Sequence, residues 1–191
     1  AAVTFVVTLL AAPHLDRGIM VGAALSIGLY LYRTMAPRVA ILGRYADGTL
    51  RDVHVHPTLA TSDLVTVMRF DGSLYFANVA HFEDAVLKAV ADHKETKFLL
   101  VIGDAINFLD SSGEEMLQSL VGQLREAGVE PVFSGLKKQV LDVMRATSLY
   151  KRIGDENIFA TECQALKAIL HRLGTQVEDD ALFAHVKAMV C

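Results

Sequence analysis

The nine residues LDSSGEEML, 109–117, carry the side chains of this 191-residue chain whose types and spacing best suit chemistry. Ser111 is followed three residues later by Glu114. That is the spacing of a capping box, in which the hydroxyl accepts a backbone N–H at a helix start and the carboxylate reciprocates. Acidic residues in that turn also complement the positive end of the helix dipole. The same geometry allows a second use. A hydroxyl at a helix N-terminus, after a buried strand and a loop, is exposed, and a phosphate there would meet free backbone N–H groups. A third use is contact with a partner that reads the loop. Pattern alone leaves all three open.

Other chemistry is sparse. The sequence holds no Gly-rich phosphate loop, no nucleophile elbow and no zinc spacing. His54 and His56 alternate on what reads as one strand face, but two ligands are too few for a metal site. His81 and His93 lie on an expected helix and are read as solvated, as is the acidic run Glu178, Asp179 and Asp180. Asp71–Gly72 reads as a turn rather than a metal loop. Cys163 and Cys191 make no framework. No cofactor, no metal site and no enzyme activity are expected. Net charge is −4, so no basic field draws nucleic acid.

The elements that must position Ser111 follow from periodicity. Residues 38–43, RVAILG, read as a first strand, and RYADGTL as a loop. Residues 64–70, LVTVMRF, are β-branched and make another strand. DGSLYFAN runs through a turn into a short strand or edge. Asn78 is an N-cap candidate, with Val79, Phe82, Val86, Ala89 and Val90 on one helical face. KFLLVI, 97–102, suits a strand buried on both faces. Met116, Leu117, Leu120, Val121 and Leu124 form the apolar stripe of the helix that Ser111 opens, and Gly128 and Pro131 end it. PVFSG is the next strand, and LKKQVLDVMRATSL the next helix, with Val140, Leu141 and Met144 inward. Thr161 opens a last helix to Leu173, with Gln164 completing a capping box. Alternating helices and strands predict an α/β domain with helices on a central mixed sheet, over residues 38–173. Residues 174–191 read as a short tail helix or a loose end.

Charge is placed unevenly. Residues 1–37 hold three of the 40 charged side chains, Asp16, Arg17 and Arg33. AAVTFVVTLLAA, 1–12, and GIMVGAALSIGLYLY, 18–32, are uncharged and flank a polar turn, PHLDRG. The second run would be about 22 Å long as a helix, short against a hydrocarbon core of about 30 Å. It therefore predicts a short helix in a bundle, with Tyr30 and Tyr32 at the interface and Arg33 snorkelling. Gly18, Gly22 and Ser26 repeat every four residues, as do Ala24 and Gly28, a spacing that lets membrane helices approach closely. A transmembrane hairpin over 1–37 is the expectation. A buried soluble hairpin and a secretory signal are the alternatives. Arg33, Arg38 and Arg44 after the second run, against Arg17 before it, put the rest of the chain on the cytoplasmic side of a plasma or inner membrane.

The stretch DAINFLDSSGEEML resembles the signature of STAS domains, the anti-sigma-factor-antagonist fold. The surrounding text is similar too: VMRFDGSLYFAN before it, LREAGVEPVFSGLKKQVLDVM and IGDENIFATECQAL after it. APRVAILGRYADGTLRDV, following a last apolar helix, resembles the carboxyl end of SulP-type (sulfate permease) anion transporters. The resemblance covers essentially the whole chain. It implies a STAS-like fold after the final two helices of a longer membrane domain, and the carboxyl-terminal part of a secondary inorganic-anion transporter of the sulfate or bicarbonate type. It also implies that the STAS domain serves regulation, dimer contacts or partner binding. The partners so implied are the rest of the membrane domain, a second copy, and a regulatory protein or nucleotide. The residues it points to are Asp110, Ser111, Ser112 and Gly113, supported by Asp104 and Asn107. The alternative it offers is a membrane-anchored STAS switch phosphorylated at Ser111. Asp110, Glu114 and Glu115 would repel that phosphate.

Overall fold

The computed structural model describes residue 5, residues 15–177, residues 180–184 and residue 186. The chain divides into two compact units, Ala1–Ala36 and Pro37–Cys191.

In the first unit, helix α1 runs from Leu15 to Met35, 21 residues. The expected polar turn at 13–18 is therefore partly helix, and the expected 15-residue helix is too short. Asp16 in the first turn and Arg33 in the last both complement the helix dipole, so charge at these ends does not stop the helix. At about 1.5 Å per residue α1 is about 31 Å long. Its Gly18–Met35 stretch is long and apolar enough to cross a bilayer. Ile19, Met20, Ile27 and Leu29 are all more than half exposed. Ser26 donates its hydroxyl to the Gly22 carbonyl at 2.8 Å, which satisfies it inside the helix. Apart from Phe5, the expected first limb of the hairpin, 1–12, lies outside the described residues.

The second unit is an α/β/α sandwich. Its strands are β1 (Val39–Arg44), β2 (Leu50–Asp52), β3 (Val65–Phe70), β4 (Phe98–Ile102), β5 (Glu130–Ser134) and β6 (Ile158–Phe159). They form one sheet in the order β2-β1-β3-β4-β5-β6. β1 is antiparallel to both β2 and β3, with Val39 opposite Phe70. The remaining pairs are parallel, with Val65 opposite Phe98 and Ile102 opposite Ser134. The sheet is thus mixed, as expected. The expected loop RYADGTL ends in β2 at Leu50, and the three residues that pair with Leu42, Gly43 and Arg44 have no strand pattern of their own.

Strand alternation sends successive side chains to opposite faces. Met68 and Phe70 enter one core, Val65 and Val67 the other. The first core is closed by α2 (Val79–Asp92), α3 (Ser111–Glu126), α4 (Lys138–Ala146) and α5 (Leu149–Ile153). Phe70 and Phe82 meet edge to face there, with centroids 5.0 Å apart. The second core is closed by α6 (Glu162–Leu173) and by Val177, Leu182, Phe183 and Val186. The segment after α6 is therefore no loose end where it is described. Asp180, expected to be solvated, accepts from the Ser62 hydroxyl at 2.5 Å and from the Leu182 N–H at 2.9 Å. Arg44, expected as an orienting charge beside the membrane, is buried and donates to the Gly48 carbonyl at 3.0 Å. Cys163 is disulfide-bonded.

Candidate functional site

Three loops leave the carboxyl ends of β3, β4 and β5 and come together at one end of the sheet. A single parallel bridge, Leu74 to Leu109, joins the first to the second. Leu74 donates its N–H to the Phe108 carbonyl at 2.9 Å, and Asp110 donates its N–H to the Leu74 carbonyl at 3.2 Å. The third loop closes from the other side. Lys137 donates to Oδ1 of Asn107, and Gln139 donates to the Asn107 carbonyl at 3.0 Å. All six sequence-selected residues lie on the middle loop and the first turn of α3.

The cap is not the expected one. Asp110, with extended backbone, is the N-cap of α3, and Ser111 is already helical. Oδ1 of Asp110 accepts the Gly113 N–H at 2.8 Å, and Oδ2 accepts the Phe76 N–H at 3.0 Å. One carboxylate thus caps the helix and fixes the neighbouring loop. Glu114 does not reciprocate toward the cap. Its Oε1 takes the Gln118 amide at 2.5 Å, one turn further on. The Ser111 side of the turn is exposed, Ser112 is half-buried and Gly113 is buried. A Cβ at Gly113 would lie 2.8 Å from Leu109 Cδ1 and 3.0 Å from the Leu74 carbonyl oxygen. Glycine is required there because backbone passes backbone.

Asn78 also departs from expectation. It stands at the N-cap position of α2 but makes no side-chain cap bond. Buried, it accepts the Tyr75 N–H at 3.1 Å and donates to the Ser73 carbonyl at 2.8 Å, which folds the first loop onto itself. His81, expected in solvent, is half-buried with Nε2 2.9 Å from the Pro37 carbonyl. His54 lies in a turn rather than on a strand, its N–H bound to Asp52 at 2.8 Å. Thr161 caps α6 as expected, accepting the Gln164 N–H at 3.3 Å.

Asp104 begins the middle loop. Partial burial of its carboxyl pushes it above the ordinary carboxylate range, and the Glu162 charge adds to this. Lys137 and Arg69 pull the other way. The crowding is visible at Gly135, whose φ is +69° and whose Cβ, if present, would overlap the Asp104 carboxylate. Among the described residues no three His, Cys, Asp or Glu side chains converge to hold a metal ion.

Sequence reasoning missed Phe76 and Phe108. They are 71% and 57% exposed and flank the Asp110 cap. Phenylalanine is read from sequence as core, and only the fold shows that these two point outward. The arrangement brings together a capped helix N-terminus, an exposed serine and two exposed aromatic rings.

The STAS domain family model matches residues 56–165. Probable sulfate transporter 4.2 of Arabidopsis thaliana is 24% identical over 180 residues, covering 87% of this chain and 27% of the transporter. Low affinity sulfate transporter 3 of Stylosanthes hamata is 26% identical over 169 residues, covering 82% of this chain and 26% of its own length. The chain therefore spans about a quarter of the curated relatives it matches. Among solved structures, the murine Solute Carrier 26 family member A9 anion transporter in its inward-facing state aligns with a TM-score of 0.75 at 21% identity. That alignment covers 87% of this chain and 28% of the transporter. A sulfate transporter family protein from Wolinella succinogenes aligns over its whole length and 65% of this chain, with a TM-score of 0.52 at 16% identity. The family match takes in the three loops and the whole of α3, and the chain belongs to the STAS domain family.

Proposed function

We propose that this chain is the carboxyl-terminal part of a secondary inorganic-anion transporter. α1 belongs to its membrane domain, and Pro37–Cys191 is a cytoplasmic STAS domain that acts in regulation, dimer contacts or partner binding. The loop Asp110–Gly113 is its contact surface, with Asp104 and Asn107 in support. One observation carries the reading. The stretch shared with the Arabidopsis sulfate transporter covers 87% of the chain. That is more than Pro37–Cys191 can supply, so the likeness runs back into the apolar segment. A free-standing STAS switch needs no such segment. The sulfate-type anion follows from the names of the relatives, and the ion-binding part is expected upstream of Ala1.

Reading the open frame upstream of the Ala1 codon tests this directly. About ten or more further apolar segments of roughly 20 residues support it. A start codon a few residues upstream sinks it. The functional arm is radiolabelled sulfate uptake. The full frame should take up the anion, and this chain reconstituted alone should not. Flux through this chain by itself would overturn the assignment.

A further inference from the structure

Leu182, Phe183 and Val186, beyond α6, are each no more than 1% exposed and share the second core with Leu42 of β1 and Val65 and Val67 of β3. The backbone that carries them makes single turns. Phe183 donates its N–H to the Asp180 carbonyl at 3.0 Å, and Val186 to the Phe183 carbonyl at 3.0 Å. A polar tie to the sheet comes from the Ser62 hydroxyl, which donates to Asp180 at 2.5 Å just ahead of β3. Single turns are weak structures in water, so burial of the three apolar side chains does most of the holding.

A covalent bond adds to it. Cys163, in the first turn of α6, is disulfide-bonded, and no cysteine of the chain is free. The sequence has one other cysteine, Cys191. A bond within the chain therefore closes residues 163–191 into a loop that contains the buried segment. Such a cross-link limits the conformations the segment gains when its turns open. In a cytoplasmic unit it also stands against a pool of thiols, and the disulfides that form in that compartment are characteristically redox-sensing.

The bond is placed for exchange. Cys163 is half-buried rather than sealed in a core. It borders a cavity of about 260 Å³ that Arg44, Asp47, Thr49 and Glu162 also line, which admits a small thiol. Thr161 caps α6 and Cys163 is its second residue, so a thiolate leaving from Cys163 meets the positive end of the helix dipole. A stabilised leaving group exchanges faster. The charge of Glu162 on the same cavity is offset by the buried guanidinium of Arg44, which it attracts.

We propose that a Cys163–Cys191 disulfide is a latch that holds the carboxyl-terminal segment on the second face of the STAS sheet, and that a small intracellular thiol opens it. One thiolate of the reductant attacks the Cys191 sulfur, forms a mixed disulfide and expels the Cys163 thiolate. A second displaces Cys191. Two electrons pass to the protein bond, the two reductant molecules leave joined as their own disulfide, and their protons end on Cys163 and Cys191. The released segment uncovers apolar surface on the face opposite α3. The inference rests on the proposed cytoplasmic placement for the reductant, and on this unit alone for the latch.

The full chain in detergent micelles provides the test, with oxidised or excess reduced glutathione as the probe. Peptide mapping of the oxidised chain should join Cys163 to Cys191, and reduced glutathione should free both for alkylation. Hydrogen exchange across 180–186 should then accelerate about thirtyfold or more, while β4 keeps its protection and so reports an intact fold. Cys191→Ser should show the fast exchange without reductant. A bond that resists excess glutathione, a bond from Cys163 to a second copy, or equal protection of 180–186 with both thiols free would each overturn the latch. A cellular arm tests the placement separately. Acid-quenched cells expressing the full chain should hold both cysteines as thiols in resting growth and as a disulfide after diamide. Protease that reaches the STAS unit from outside intact cells would sink the cytoplasmic placement and its reductant, whatever the micelles report.

Discussion

At the scale of single residues, Asp110 has the role that the sequence pattern offered to Ser111. Along the chain both are good caps, and only Ser111 has an acidic residue, Glu114, three positions on, so the pattern favours the wrong one. What decides between them is Phe76, 34 positions away, whose N–H only one carboxylate can take while also capping α3. Asp110→Ala should cost about 1–2 kcal/mol in a denaturant titration, from the lost cap and a released loop N–H. Ser111→Ala should stay within about 0.5 kcal/mol, since its side of the turn is exposed. Equal losses at both positions would restore the Ser111 cap. Asp104 gives a pH signature of known sign. Its folded-state pKa lies above its usual value of 3.8. The stability linked to its protonated form is complete below 3.8 and is lost as pH rises through the folded-state value. Asp104→Asn should therefore raise the melting temperature at neutral pH, and the gain should fade as pH falls from the folded-state value to 3.8 and be absent below it. A gain that grows on acidification would contradict the assigned cause.

At the scale of elements, two helical glycines that look alike in sequence should respond in opposite directions to alanine. Alanine favours a helix over glycine by about 1 kcal/mol. At Gly122 the added methyl meets only the guanidinium end of Arg152, which can swing away. Gly122→Ala should thus stabilise by about 0.5–1 kcal/mol. At Gly113 it meets the Leu74 carbonyl and Leu109, which the bridge between their loops holds in place. Overpacking of about 1–3 kcal/mol then outweighs the helix gain, and Gly113→Ala should destabilise. Thermal melts of the two variants beside the parent chain decide the matter. This contrast also marks how far the elements were legible. β4 and α3 could be read because a continuous apolar run and a 3.6-residue stripe are properties of the local chain. β2 and β6 could not, because three and two residues become strands only through their partners on β1 and β5. The exposure of Phe76 and Phe108 was hidden for the same reason. Composition assigns phenylalanine to a core, and only the meeting of two loops turns these rings outward.

At the scale of the whole molecule, the two units answer to different solvents. Pro37–Cys191 buries two complete cores, one on each face of its sheet. It also ties its far end together through polar contacts. Arg125 forks onto Glu130 and donates to the Ile153 carbonyl at 2.8 Å, while buried Asn157 donates to Glu130 at 2.6 Å and accepts from Arg172 at 2.6 Å. α1 does the reverse. Its large apolar side chains are exposed and its one serine is satisfied within the helix, which suits a medium with no hydrogen-bonding capacity. Cutting before Pro37 should therefore yield a soluble unit that melts cooperatively without detergent, whereas the full chain should stay in solution only with detergent or lipid. Within the soluble unit Asn157→Ala should cost about 1–2 kcal/mol, because a buried side chain loses its bonds to Glu130, the Ile153 carbonyl and Arg172 while Arg125 still serves the first two. Arg38→Ala, at a pair whose arginine is 57% exposed, should cost less than about 1 kcal/mol. Size-exclusion chromatography and calorimetry of the excised unit provide the check. An aggregated product without a cooperative transition would mean that the STAS unit is not an independent folding unit and needs the apolar segment to complete it.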